Sequence, residues 1–309
     1  MTAADATAFE PPAARPAALA RTRPFTWSVR RELWENRAIL IAPLIAAAVV
    51  LAGFLVSRVS PHAIHFNMSS GRGESGLPFV VPDYVPYMIA TIVVVLTGFV
   101  VAAFYCLGAL QNERRDRSIL FWKSLPVSDL VTVLSKAFIP MVVTPVVIFA
   151  VVVATQVVML ALASVILLLQ GQDVPALWAQ VPLWRMSLVL LYGLVVLSLW
   201  HAPLWGWLLL VSGWARRMSF LWAAGPPLAL CVFERLAFGT KHLSSLFGER
   251  LVGGWGEGFT IHRGGMQMTD LSDMDPVRFV ASPGLWIGLV VGAALLAAAV
   301  WLRRRREPI

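Results

Sequence analysis

Residues 137–169 read AFIPMVVTPVVIFAVVVATQVVMLALASVILLL, 33 residues without a single charge. A helix rises about 1.5 Å per residue and a bilayer core is about 30 Å thick, so about 20 residues suffice to cross it. The run is therefore either one tilted helix, kinked at Pro140 and Pro145, or two spans joined by a tight turn. The choice decides on which side of the membrane everything after it lies. Five further apolar runs flank it, at 38–57, 86–110, 186–211, 218–238 and 283–302.

Charge selects between the two. With six spans and both termini inside, 17 of the 25 Lys and Arg residues fall on the cytoplasmic side. They are Arg15, Arg21, Arg23, Arg30, Arg31, Arg37, Arg114, Arg115, Arg117, Lys123, Lys136, Arg216, Arg217 and Arg303 to Arg306. Splitting the third run moves Arg216, Arg217 and the terminal Arg cluster outside, against the positive-inside rule. The expected fold is an all-α membrane protein with six transmembrane helices and both termini cytoplasmic.

Composition agrees. The chain is 58% hydrophobic and 14% charged, against about 45–50% and about 25% in soluble domains. Many of the 13 Trp residues lie near the ends of the runs, where an indole buries its ring and hydrates its N–H. The net charge of +8 punctuates the apolar runs and forms no continuous stripe, which argues against a nucleic-acid partner. Cys106 and Cys231 both sit in apolar runs and read as small buried hydrophobes. No Cys/His cluster has metal-ligand spacing, and the loop pair His62 and His65 reads as solvated.

Outside the spans, residues 1–24 are Ala/Pro-rich and read as a disordered cytoplasmic tail. They are not a secretory signal, since the first apolar core begins only at Ala38 and is too long. Residues 25–37, FTWSVRRELWENR, mix aromatics and cations at helical spacing, as in a helix lying in the headgroup layer. The outer segments are Arg58 to Val85 and the slightly acidic Gly239 to Ser282. Neither is large enough for an enzyme domain of its own.

Residues 113–129, ERRDRSILFWKSLPVSD, separate the second and third spans. Ser118 can cap a helix. Ile119, Trp122 and Leu125 recur at spacing three on one edge, Lys123 points elsewhere, and Pro126 ends the helix. Ser128 can cap the next one. The segment reads as a short amphipathic helix that offers Phe121 and Trp122 to a partner, or else sits in the headgroups.

This stretch resembles the signature of type-2 ABC exporter permeases, E-R-x-x-G-T-L-x-x-L-x-S-L-P-V-S followed by a Lys. Glu113, Arg114, Ser118, Leu125, Pro126, Val127 and Ser128 match, Lys136 suits the trailing cation, and Arg117 stands where Gly is common. Arg31 to Arg37 is similar to the amphipathic entry helix of the family. The resemblance implies a permease of the bacterial inner membrane, working as a homo- or heterodimer with a second permease. It also implies two copies of a separate ABC ATPase that carry ATP and Mg. The ATPase-coupling residues are then Glu113, Arg114, Arg117, Ser118, Ile119, Leu120, Phe121, Trp122, Lys123, Leu125 and Pro126. Residues 239–282 are expected to form short re-entrant helices roofing the exit. The chain has no G-x-x-x-x-G-K-[ST], so it is not expected to bind nucleotide or to be an enzyme itself.

Four residues within the spans are candidates for a translocation path. His201 is an ionisable group at membrane depth, which is functional or else bonded to a backbone carbonyl, such as one freed by Pro203. Gln156 lines the path or bonds a neighbouring helix. Pro226 and Pro227 remove ladder bonds and are expected to kink the fifth span. Glu234 lies near the outer end of that span. An intramembrane enzyme needs a catalytic set that is not seen: there is no H-E-x-x-H, G-x-S-x-G or aspartate pair. An ion-coupled secondary transporter needs embedded carboxylates and an inverted repeat, and only Glu234 offers itself.

Overall fold

The computed structural model describes residues 24–59, 84–116, 128–260 and 271–305. Among the readings above, most of the 1–24 tail, His62 and His65 lie outside the described residues. So do Arg117, Ser118, Ile119, Leu120, Phe121, Trp122, Lys123, Leu125 and Pro126.

The described residues fold as helices, with one isolated antiparallel bridge between Phe259 and Met274. Six helices are long and apolar enough to cross a membrane. The chain opens with α1 (Pro24–Glu35), then α2 (Ala38–Val59), α3 (Val85–Ala109) and the short α4 (Gln111–Arg115). The 137–169 run is one continuous helical element. It begins with α5 (Asp129–Phe138), passes through a π-helical turn (Ile139–Val143) and continues as α6 (Thr144–Leu169). Its start lies at Asp129 rather than Ala137 because Ser128 Oγ accepts from Val131 N at 3.3 Å, a standard N-cap. Pro140 lies inside the π turn. A proline lacks an N–H and crowds the carbonyl four residues back, and a wider turn relieves that crowding.

The fourth run, expected as one span over 186–211, is two helices. α7 (Val174–Gln180) precedes α8 (Leu183–Trp200), and α9 (Ala202–Trp214) follows a break at His201. The fifth is α10 (Ser219–Phe238), which stays helical through Pro226 and Pro227. The last region comprises α11 (His242–Val252), α12 (Gly254–Gly258), a 3₁₀ turn (Leu271–Asp273), α13 (Pro276–Ala281) and α14 (Pro283–Arg305).

The first and last described helices both reach Glu113, through Arg31 and Arg303. The backbones of α9 and α14 pack closely. A Cβ on Gly206 would lie 3.0 Å from Gly292 O, and one on Gly292 would lie 3.1 Å from Ala202 O. Small residues let the backbones approach this closely, the usual basis of helix association in lipid. Hydroxyls are kept from the apolar surround by bonding back one turn, as Thr91, Thr155, Ser164 and Ser198 do. α10 is peripheral: only Ala223 and Glu234 are buried in it, while Phe220, Leu228, Phe233 and Leu236 are exposed. Both cysteines are free. Cys106 is buried as expected, but Cys231, on this outer helix, is only half-buried.

Candidate functional site

Where Arg31 of α1 and Arg303 of α14 both reach Glu113, charged side chains converge. Glu32 on α1 is 1% exposed and Lys136 on α5 is 2% exposed. Lys136 Nζ lies 2.8 Å from Glu32 Oε1 and 3.0 Å from Glu113 Oε1 on α4. Arg31 Nη2 donates to both carboxylates, at 2.9 Å to Glu32 Oε1 and 3.0 Å to Glu113 Oε1. Arg303 on α14 donates from Nη1 to Glu113 Oε2 and from Nε to Asp129 Oδ1 at 3.0 Å. Tyr105 on α3 donates its hydroxyl to Glu32 Oε2 at 2.9 Å.

The cluster balances: Arg31, Lys136 and Arg303 face Glu32, Glu113 and Asp129. That balance is what allows buried charges, since each costs several kcal/mol of desolvation unless paired and hydrogen-bonded. Glu35 sits at the rim within 3.3 Å of Arg31 Nε. Burial raises its pKa against the pull of Arg31. Beside the cluster, Arg114 Nη1 donates to Gly213 O at 2.8 Å, satisfying a carbonyl at the end of α9. Ser212 Oγ accepts from the backbone N–H groups of Leu110 and Gln111, at 2.9 and 3.0 Å, where α3 turns into α4.

The geometry ties the two ends of the 113–129 segment. Glu113 precedes the residues that are not described, Asp129 follows them, and Arg303 holds both. α1, α3, α4, α5 and α14 all contribute a side chain.

A second locality lies within the bundle. A cavity of about 350 Å³ opens between α3, α6 and α8. Two of the four path candidates, Gln156 and His201, line it. Gln156 Nε2 donates to Thr91 Oγ1 on α3 at 3.0 Å, so the residue both bonds a neighbouring helix and faces the cavity. Pro226 and Pro227 are not among its lining residues; they lie on the peripheral α10.

His201 occupies the break between α8 and α9 and is 2% exposed. Its Nδ1 lies 2.8 Å from Leu197 O, one turn back, and its Nε2 lies 3.3 Å from Leu251 O on α11. The carbonyl it uses on its own span is thus Leu197's, not one released by Pro203. The ring edge of Phe99 stands against it at 5.0 Å.

The residues between the fifth and sixth spans are seated on the same column of α8. Trp200 Nε1 donates to Glu249 O at 3.1 Å, and the Arg250 guanidinium lies 4.4 Å from the Trp200 ring. Arg250 also donates to Gly284 O. Its partial burial lowers its pKa. Tyr192 donates to Gly258 O at 2.9 Å. Glu234, expected near the outer end of α10, is bonded by Thr240 Oγ1 and by the backbone N–H groups of His242 and Leu243, at 2.7, 2.7 and 2.8 Å. It therefore caps the N-terminus of α11, where a carboxylate is stabilised by orphan donors and the helix dipole.

Sequence reasoning singled out Glu113, Arg114 and Lys136 but missed Glu32 and Arg303. The available signals were an acidic residue set among the aromatics of α1 and the first Arg of a terminal basic run. Among the described residues no group of His, Cys, Asp and Glu is arranged to hold a metal ion. Comparison of the chain with family models, curated proteins and solved structures finds no match.

Proposed function

We propose that this chain is the transmembrane permease subunit of an ATP-binding-cassette exporter, moving a substrate across a bacterial inner membrane by alternating access. The observation that carries the reading is the Glu113–Arg303–Asp129 tie. A segment whose sequence resembles a coupling helix is anchored at both ends in a buried ionic cluster joined to five helices. That is the arrangement a motor acting from outside the membrane needs if its push is to tilt spans rather than bend a loop.

In this reading the charged end faces the cytoplasm, in line with the 17 of 25 Lys and Arg residues on that side. A separate ATPase, in two copies with ATP and Mg²⁺, docks on the 113–129 segment, and a second permease completes the dimer. α11 and α12 roof the cavity from the opposite face, which the contacts of Trp200 and His201 with residues 249–251 support. The test is co-expression with an ABC ATPase encoded beside this gene, followed by purification and reconstitution. The expected result is a stable complex whose transport requires ATP hydrolysis. Transport by the isolated chain without a nucleotide-driven partner would refute the reading.

A further inference from the structure

The helix α1 has a face that neither the bundle nor the ionic cluster uses. Phe25 stands edge-on to Phe138 on α5, with ring centroids 5.4 Å apart, and Val29 and Leu33 pack against the buried core. Glu32 turns into the cluster. Trp27, Arg30 and Trp34 recur at helical spacing on another side, and there the two indoles are 62% and 64% exposed.

The guanidinium of Arg30 lies over both rings, its carbon 5.7 Å from the Trp27 centroid and 4.8 Å from that of Trp34. Both distances are within the roughly 6 Å over which a ring attracts a cation. Its neighbour Arg31 takes up the acidic residues of the helix, Glu32 and Glu35. Among the described residues no carboxylate forms an ion pair with Arg30. Attraction to a ring consumes no acceptor, so the N–H fork of Arg30 is left to bond an anion.

The junction with the first span holds this face near the bilayer edge. Only Asn36 and Arg37 separate α1 from α2, and backbone bonds cross them, from Asn36 N to Glu32 O at 2.9 Å and from Leu40 N to Arg37 O at 3.0 Å. α2 is among the helices long and apolar enough to cross a membrane. Trp34 stands four residues before its start, at the headgroup depth where Trp is enriched.

We propose that Trp27, Arg30 and Trp34 form a site for the phosphate of an anionic phospholipid. The guanidinium fork donates to the phosphate oxygens, a bidentate match that an ammonium does not offer. The exposed Arg37 adds a second cation at the junction. A zwitterionic lipid is the weaker ligand. Its choline is a cation of the kind that aromatic rings recognise, and Arg30 already covers these two rings. The site needs neither nucleotide nor a partner subunit, so it goes beyond the exporter reading and does not rest on it.

The experiment uses the full chain in phosphatidylcholine vesicles. The probes are trace phosphatidylglycerol and trace phosphatidylcholine with the same acyl chains, each bearing a diazirine beside the ester carbonyl. Phosphatidylglycerol is expected to label residues 24–37 about fivefold more, the equilibrium equivalent of one cation near an anionic headgroup. Arg30→Gln is expected to remove that preference while labelling by both lipids persists. Arg30→Lys keeps the charge without the fork and should retain part of it. Arg37→Gln should retain most of it. Replacing buffer chloride with inorganic phosphate at equal ionic strength should leave the preference in place. Equal labelling of the native chain by the two lipids overturns the proposal and leaves this face to a protein partner. A loss from Arg37→Gln as large as that from Arg30→Gln also overturns it, because diffuse charge rather than the ring-held guanidinium would then select the lipid. Loss of the preference in phosphate buffer would assign the fork to a soluble anion and overturn the lipid assignment.

Discussion

Arg303 joins Glu113 to Asp129, two carboxylates that flank the segment between the second and third spans. It reaches them from the far end of the chain. The last long helix thereby fixes the distance between the two ends of a segment that begins nearly two hundred residues earlier.

Removing Arg303 is expected to be costly. Arg303→Met leaves Glu113 and Asp129 short of a cation while Lys136 and Arg31 remain, and breaking one partner of a buried pair typically costs about 3–5 kcal/mol. Arg303→Lys keeps the charge but has no planar fork to span both carboxylates, so it should fall between. The double change Arg303→Gln with Glu113→Gln removes opposite charges together and should recover part of the loss. Thermal unfolding in detergent ranks the variants. An unfolding midpoint for Arg303→Met equal to the native one would show that the cluster is not structural.

The 113–129 segment should also be the grip for the ATPase. Phe121→Ala with Trp122→Ala removes two aromatic anchors, each worth about 2 kcal/mol or more when buried in a partner's cleft, or roughly thirtyfold in affinity apiece. Membrane insertion should be unchanged, because neither residue belongs to a span. Co-purification with the ATPase measures the effect. Unchanged recovery of the complex would mean these rings are not the anchors.

Topology gives a separate test. Ser124→Cys and Ser244→Cys, made in a chain with Cys106→Ala and Cys231→Ser, should react with a membrane-impermeant maleimide from opposite faces. Ser124 lies in the segment tied by Arg303, and Ser244 is exposed on α11. Reaction of both from the same face would overturn the six-span arrangement with shared termini.

The apolar runs were legible in the sequence because a membrane span announces itself locally: about 20 apolar residues can do little else. The continuity of 137–169 was legible too, since charge counting on distant loops rejects a turn inside it. Ser128 could be read as a cap from its neighbours alone. The ionic cluster could not. Glu32 and Lys136 are 104 residues apart, and Glu113 and Arg303 are 190 apart, so no spacing rule connects them. His201 was visible as an oddity, but the break in its helix and its contact with Leu251 depend on how α11 folds back. Pro226 and Pro227 lie on the peripheral α10, which lends no side chain to the cavity, and a sequence carries no label for which helices are central.

The α9–α14 contact supplies the sharpest steric prediction. Gly292 leaves no room: its Cβ would lie 3.1 Å from both the carbonyl carbon and oxygen of Ala202, and the opposing atoms are backbone that cannot swing aside. Gly292→Leu must push the helices apart, and overpacking of this kind costs about 1–3 kcal/mol or more. Because Arg303 sits on the same helix, displacement of α14 should also loosen its hold on Glu113 and Asp129. Gly225, inside α10, has nothing within 4 Å of a Cβ. Gly225→Ala should therefore be neutral or stabilising by up to about 1 kcal/mol through helix propensity alone. Unfolding midpoints of the two variants, measured in one detergent, should move in opposite directions or differ by several degrees. If Gly292→Leu proved as stable as Gly225→Ala, the close approach of α9 and α14 would be wrong, and with it the path by which the last span reaches Glu113 and Asp129.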